Sequence, residues 1–143
     1  MKTFILPDCD EECDFALFGL VSSTRDYSLA WAIGQALRLR FVRQTELQLH
    51  LLTGSRLVFS YYEHRTETQQ WRLFRNRCLG ASSLPKPFLA PDIKEYDYLL
   101  TVADGAAAAA HEALVPRLTA LAPVQYACQF DPNTLKYKEN LIF

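Results

Sequence analysis

Asp92, Glu95 and Asp97 fall within six residues of the stretch "APDIKEYDY", residues 90–98. Three carboxylates so close together can bind a hard cation, share a proton or activate water, provided their oxygens converge on one point. The spacing works against convergence. With a strand beginning near Tyr96, Asp97 lies on the opposite face from Tyr96 and Tyr98, while Asp92 precedes the strand altogether. The stretch is therefore expected to be a proline-bent loop end that enters a strand. In it, Pro91-Asp92 sets a turn and the Asp92 side chain bonds nearby backbone N–H groups.

The other reactive side chains are dispersed. "CDEEC", Cys9 to Cys13, separates its thiols by three residues instead of the two of a zinc knuckle or thioredoxin-like dithiol, and Cys78 and Cys128 stand alone. His50, His64 and His111 show no ligand spacing and read as surface histidines. Ser22, Ser23 and Thr24 end an apolar run without the glycine elbow of a hydrolase nucleophile. No catalytic residue, metal site or cofactor is expected from these patterns.

A different chemistry is suggested by "WRLFRNRC". Strand alternation sends Trp71, Leu73, Arg75 and Arg77 to one face and Arg72, Phe74, Asn76 and Cys78 to the other, and Arg56, Tyr62 and His64 can join a face from neighbouring strands. Arginine beside an exposed aromatic is how a sheet neutralises and stacks single-stranded nucleic acid. The same alternation suits a core of Trp71 or Phe74 with arginines solvated outside. Alternation leaves both arrangements open.

Charge and composition frame these candidates. The chain of 143 residues carries a net charge of −1, with half its residues apolar, nine Phe, seven Tyr and two Trp, enough for one domain with one core. Residues 1–14 hold Lys2 against five acids, net −4, whereas residues 38–77 hold eight Arg against three Glu, net +5. The opening "MKTFIL" is too short for a secretory hydrophobic region, no apolar run is long enough to span a membrane, and the thiols are expected to be reduced in a cytoplasmic protein.

The elements that must position the candidates follow from periodicity and punctuation. "CDFALFGLVSS" is apolar at nearly every position from Phe15 to Val21, a strand buried on both faces. Asp26 is placed to cap the helix "YSLAWAIGQALR". "TELQLHLL", "RLVFSYYEH" and "QQWRLFRNRC" read as a three-strand meander with turns at residues 53–55 and in "RTET". Residues 79–95, rich in proline, read as a loop. "YDYLLTVA" is a strand, Asp104 can cap a helix through "AAAAAHEALVPRLTAL" that Pro116 kinks or splits, and "VQYACQF" is the last strand. The order β-α-β-β-β-β-α-β gives an α+β domain over residues 1–143. Its mostly antiparallel sheet of five to six strands carries two packed helices and an ordered C-terminal tail.

Three segments together resemble the IPExxxVDY family of Bacteroidota proteins. "APDIKEYDY" matches its name motif at Pro91, Asp97 and Tyr98, with Asp92 standing for the motif Glu, Ala90 for Ile and Tyr96 for Val. "LKYKENLIF" is similar to the family's ending, and "CDFALFGLVSSTRDYSLAWAIGQAL" to its strand and Leu/Ala/Trp helix. The resemblance covers nearly the whole chain and implies no activity. The functional expectation is a non-enzymatic protein that works through protein contacts, including a homodimer, with its apolar ending Leu141 to Phe143 either packed back or docked on a partner. The alternative is RNA or single-stranded nucleic-acid binding through residues 56–77, carried by Arg56, Tyr62, Trp71, Arg72, Arg75 and Arg77.

Overall fold

The structure, a computed structural model, describes residues 15–50, 56–79, 88–104, 111–136 and 138–141. The acidic head with Cys9 and Cys13, the turn at 53–55, residues 80–87 of the proline-rich loop, the alanine run and Ile142–Phe143 lie outside the described residues. The apolar run after Phe15 forms β1 (Ala16–Val21), followed by α1 (Asp26–Leu37). Then come β2 (Val42–Arg43), β3 (Leu47–His50), β4 (Arg56–Phe59), β5 (Tyr61–Arg65) and β6 (Gln70–Arg75). A 3-10 turn at Pro91–Ile93 leads into β7 (Tyr98–Ala103), α2 (Leu114–Thr119) and β8 (Tyr126–Phe130). Further 3-10 turns at Pro132–Thr134 and Lys138–Leu141 make the tail.

Six strands form one antiparallel sheet in the order β2-β5-β6-β7-β1-β8, and β3 and β4 form a separate two-stranded ribbon. Strand alternation divides the core between the two faces of the sheet. Phe18, Leu20, Trp71, Leu73, Leu100 and Val102 pack on one face with Leu29 and Ile33 of α1 and Leu114 and Leu118 of α2. Leu17, Phe74 and Leu99 pack on the other with Phe59 of β4, Leu89 and Ile93 of the loop, and Leu135 and Leu141 of the tail. Each such side chain, once fully buried, stabilises by roughly 1.5–3 kcal/mol. Both faces are covered, so β1 and β7 can be apolar along nearly their whole length, with buried Thr101 of β7 the one polar residue in the two strands. Among the described residues no helix is long and apolar enough to cross a membrane.

Two local expectations need correction. "RLVFSYYEH" is two strands: the chain breaks at buried Ser60, whose carbonyl accepts from Arg75 N at 3.1 Å and whose hydroxyl donates to Asp26 Oδ2 at 3.1 Å. β4 thus belongs to the ribbon and β5 to the main sheet, and the meander is divided. Asp26 is the first residue of α1 and not its cap; its Oδ1 accepts from Tyr27 N at 2.8 Å, and Arg25 stands at the cap position without a side-chain capping bond. The expected helix through the alanine run falls partly outside the described residues; in its described part, α2, Pro116 sits in the first turn, where a missing N–H leaves no intrahelical bond unmade. Asp104 pairs with His111, Oδ1 to Nε2 3.1 Å.

The tail closes the lower face. Leu141 is buried, Asn140 Nδ2 donates to Leu89 O at 3.0 Å, and Lys136 N donates to Asp92 Oδ2 at 2.7 Å.

Candidate functional site

Where β1 ends, the chain must turn from the sheet into α1, and three groups fix that turn from beneath. Asp97 N donates to Leu20 O at 2.9 Å, and Asp97 Oδ2 accepts from Ser22 N at 2.9 Å. The buried Ser22 hydroxyl donates to Pro123 O at 2.6 Å and accepts from Thr24 N at 3.2 Å. Tyr98 reaches up from the start of β7 and donates its phenol to Thr24 O at 2.5 Å. These bonds leave residues 22–27 standing as one rim of a cleft of about 740 Å³. Arg75 at the end of β6, Arg77 just past it, Phe88, and Lys94 and Tyr96 before β7 line it from the sheet side, and Arg43 of β2 lines it as well.

The electrostatics of this cleft are one-sided. Arg25, Arg43, Arg75, Arg77 and Lys94 contribute five cations against the two carboxylates of Asp26 and Asp97. Both carboxylates accept hydrogen bonds from protein donors: Asp97 from Ser22, Asp26 from Ser60 and Tyr27. Among the described residues Arg25, Arg75, Arg77 and Lys94 enter no ion pair. Arg77 lies 5.6 Å from the Phe88 ring centroid, a cation–π contact that leaves its N–H fork available. Arg43 has an exposed partner in Glu46 at 3.7 Å, a surface pair worth about 0–1 kcal/mol. A concave surface with this balance focuses positive potential and raises the local concentration of anions.

Burial pushes the Tyr98 phenol up to about 12, with Asp26 and Asp97 adding to the shift and Arg75 opposing it. Tyr98 therefore remains a neutral hydrogen-bond donor throughout the physiological range. Tyr62 is likewise raised, by burial first and then by Asp26.

The structure separates the residues of the basic hairpin. Tyr62 and Trp71 are each 7 % exposed and belong to the helix-side core, where Trp71 Nε1 donates to Gln69 Oε1 at 3.2 Å. Arg72 is buried and donates from Nε to Glu63 Oε2 at 3.0 Å. Burial raises the Glu63 carboxyl, but hydrogen bonds from Arg72 and Gln70 outweigh it and hold the group below its ordinary value. Arg56 is exposed on the ribbon, with Nη1 3.5 Å from Gln48 Oε1, and lies outside the cleft lining. Of the six residues, Arg75 and Arg77 alone reach the cleft.

The motif residues also part company. Pro91 opens the 3-10 turn, Asp92 is held by the tail, Glu95 is exposed, and Asp97 and Tyr98 line the cleft. The three carboxylates do not converge, and among the described residues no group of three His, Cys, Asp or Glu side chains is placed to hold a metal ion. Cys78 and Cys128 are free thiols, and His64 Nδ1 accepts from Arg40 N at 3.0 Å.

Sequence reasoning missed Arg25, Arg43 and Lys94, whose partners in the cleft come from distant parts of the chain. The net positive charge of residues 38–77 is the one signal that pointed toward this region. It also missed Asn76. This side chain is fully buried; its Nδ2 donates to Ile93 O at 3.2 Å and Tyr96 O at 2.9 Å, and its Oδ1 accepts from Ala90 N at 2.8 Å. Asn76 thereby fixes the motif loop against the end of β6 and sets where Lys94 and Asp97 meet the cleft. No family model matches the chain, and no curated protein matches it in sequence.

Proposed function

We propose that the protein is a cytosolic, non-catalytic binding module whose ligand is a phosphate-bearing anion held between the β1–α1 connection and the ends of β6 and β7. The observation that carries this is the convergence of Arg25, Arg43, Arg75, Arg77 and Lys94 on one cleft of ligand size whose two carboxylates are occupied by protein donors. Guanidinium forks match phosphate oxygens in geometry as well as charge. The non-catalytic part is supported by the commitments of the nearby polar groups. Ser22 spends its proton on Pro123 O, and Tyr98 spends its own on Thr24 O. Membership of the IPExxxVDY family is part of the proposal, and the position of Asp97 and Tyr98 on the cleft supports it by giving the shared motif a role.

Titration calorimetry with inorganic pyrophosphate at low and moderate salt tests the binding. The expected result is binding at low salt that weakens as salt rises, and a loss of about tenfold in Arg75→Gln, the scale of one charge-assisted hydrogen bond. An absence of heat at low salt, or equal affinity in the variant, contradicts the proposal.

A second reading, contact with another protein or a second copy, is favoured by Tyr27 and Trp31 of α1, which are 58 % and 68 % exposed. Sedimentation velocity over a concentration series tests the second-copy form of it. A dimer that Trp31→Ala dissociates supports that form; a monomer at all concentrations contradicts it.

A further inference from the structure

Tyr27 borders two concavities at once. It lines the cationic cleft and also a groove of about 260 Å³ along α1, which continues past Trp31 to Phe41 and Arg40. Tyr27 and Trp31 are four residues apart on one helix, so their side chains share a face and are offset by about 6 Å along the axis. Neither ring is used by the core: both are mostly exposed, while Leu29, Ala30 and Ile33 make the buried side of the helix. A patch of cations thus passes directly into a row of two aromatic rings on an accessible surface.

We infer that the phosphate-bearing ligand is a single strand of nucleic acid, its backbone crossing the cleft and its adjoining bases stacked on Tyr27 and Trp31. This rests on the anion-binding role of the cleft and adds the identity of the ligand. A small phosphate or a phosphorylated side chain uses the cations and leaves the aromatic groove idle. A duplex offers phosphates but hides its base faces in the stack. An unpaired strand presents charge and π-surface together, in the order in which cleft and groove are arranged, and stacking tolerates any base. Arg40 adds a further cation to the lining of the groove. The contact surface differs from the hairpin sheet face expected from the sequence: the strands supply Arg75 and Arg77, and a helix supplies the rings.

The test is fluorescence anisotropy of end-labelled oligouridylate and oligothymidylate with the full chain, beside calorimetry with pyrophosphate and with a duplex of the same length. Trp31→Ala is an exposed substitution that leaves the core intact, and Arg75→Gln reports the cleft. The inference predicts that both oligonucleotides bind more tightly than pyrophosphate or duplex. It also predicts that Trp31→Ala weakens oligonucleotide binding about tenfold with pyrophosphate affinity unchanged, and that Arg75→Gln makes the salt dependence shallower by about one phosphate contact. Quenching of tryptophan emission by the oligonucleotide should vanish in Trp31→Ala, because the remaining Trp71 is buried. Pyrophosphate binding with no preference for single strands overturns the inference and leaves the anion cleft standing. Failure of every ligand overturns both. Oligonucleotide affinity unchanged in Trp31→Ala, or a dimer that this variant dissociates while nucleic acid does not compete, assigns the aromatic face to another role and also overturns it.

Discussion

Asp97 accepts a hydrogen bond from the backbone N–H of Ser22 at 2.9 Å, joining two residues 75 positions apart in the chain. The same residue receives Asn76 N on its carbonyl and gives its own N–H to Leu20, so one position ties β1, the end of β6 and the start of β7 together. The carboxylate that looked like a candidate for chemistry thus holds the rim of the cleft.

Asp97→Ala removes that acceptor and should lower stability by about 1–2 kcal/mol, while Asp97→Asn, which keeps an oxygen in place, should cost less. Thermal unfolding by calorimetry measures both. Because the aspartate opposes the cations, Asp97→Asn should bind pyrophosphate at least as tightly as the parent. Weaker binding with an intact fold gives the carboxylate a direct role in the ligand site.

Arginines of one hairpin should behave differently. Arg72 shares a largely buried pair with Glu63, and losing one partner of such a pair is costly because the other is left desolvated. Arg72→Gln is expected to lower stability by about 2 kcal/mol and to spare anion binding. Arg77→Gln, at an exposed position, should leave the melting temperature nearly unchanged and weaken binding. Denaturant unfolding alongside ligand titration separates the two effects.

Alkaline stability should carry the signature of the raised phenols. Tyr98 titrates near 12 in the folded protein and near the ordinary tyrosine value when unfolded. The folded state therefore binds the proton more tightly. The stability from this group is complete below about pH 10 and is lost as pH rises from there toward 12. Tyr61, Tyr62 and Tyr96 are shifted in the same direction, each by burial first. In Tyr98→Phe the slope of stability against pH over this window should flatten without disappearing. Glu63 has the opposite sense: its lowered value stabilises above the ordinary carboxylate range, and that contribution fades as pH falls through its folded value.

Two glycines are fixed by close approach. A Cβ at Gly19 would lie 2.8 Å from the rings of Phe130 and Tyr96, and one at Gly34 would lie 2.7 Å from Leu39 O, where the chain doubles back after the left-handed Arg38. Alanine at position 34 gains up to about 1 kcal/mol of helix propensity, yet it meets backbone that cannot rotate away. Both Gly19→Ala and Gly34→Ala should lower the melting temperature, as thermal unfolding by circular dichroism will show, with Gly34→Ala the more damaging.

The elements legible in the sequence were those whose burial is uniform along their length. β1 and β7 lie between two covered faces and so show apolar runs, broken in β7 by Thr101 alone; α1 shows its buried stripe at Leu29 and Ile33; Asp131 before Pro132 marks the tail turn, its Oδ1 accepting from Asn133 N. The break at Ser60 was hidden because residues on either side of it alternate in the same way, though they serve different sheets. The cleft was hidden for a related reason. Arg75 meets Arg25 through the lateral order β6-β7-β1, which no local period encodes, and Arg25, Arg43 and Lys94 are each unremarkable within their own segments. Asn76 read as one polar residue in a basic run, whereas its burial beneath the motif loop decides where that loop goes.

The central claim is that the cations at the end of β6 and the β1–α1 connection form one anion site. It is tested most directly by adding pyrophosphate to isotopically labelled protein and following backbone amide resonances. The account predicts saturable shifts at Ser23 to Tyr27, Arg75 to Arg77 and Lys94 to Asp97, with Arg56 and Arg65 unmoved. Shifts confined to Arg56 and Arg65, or none at low salt, would contradict it.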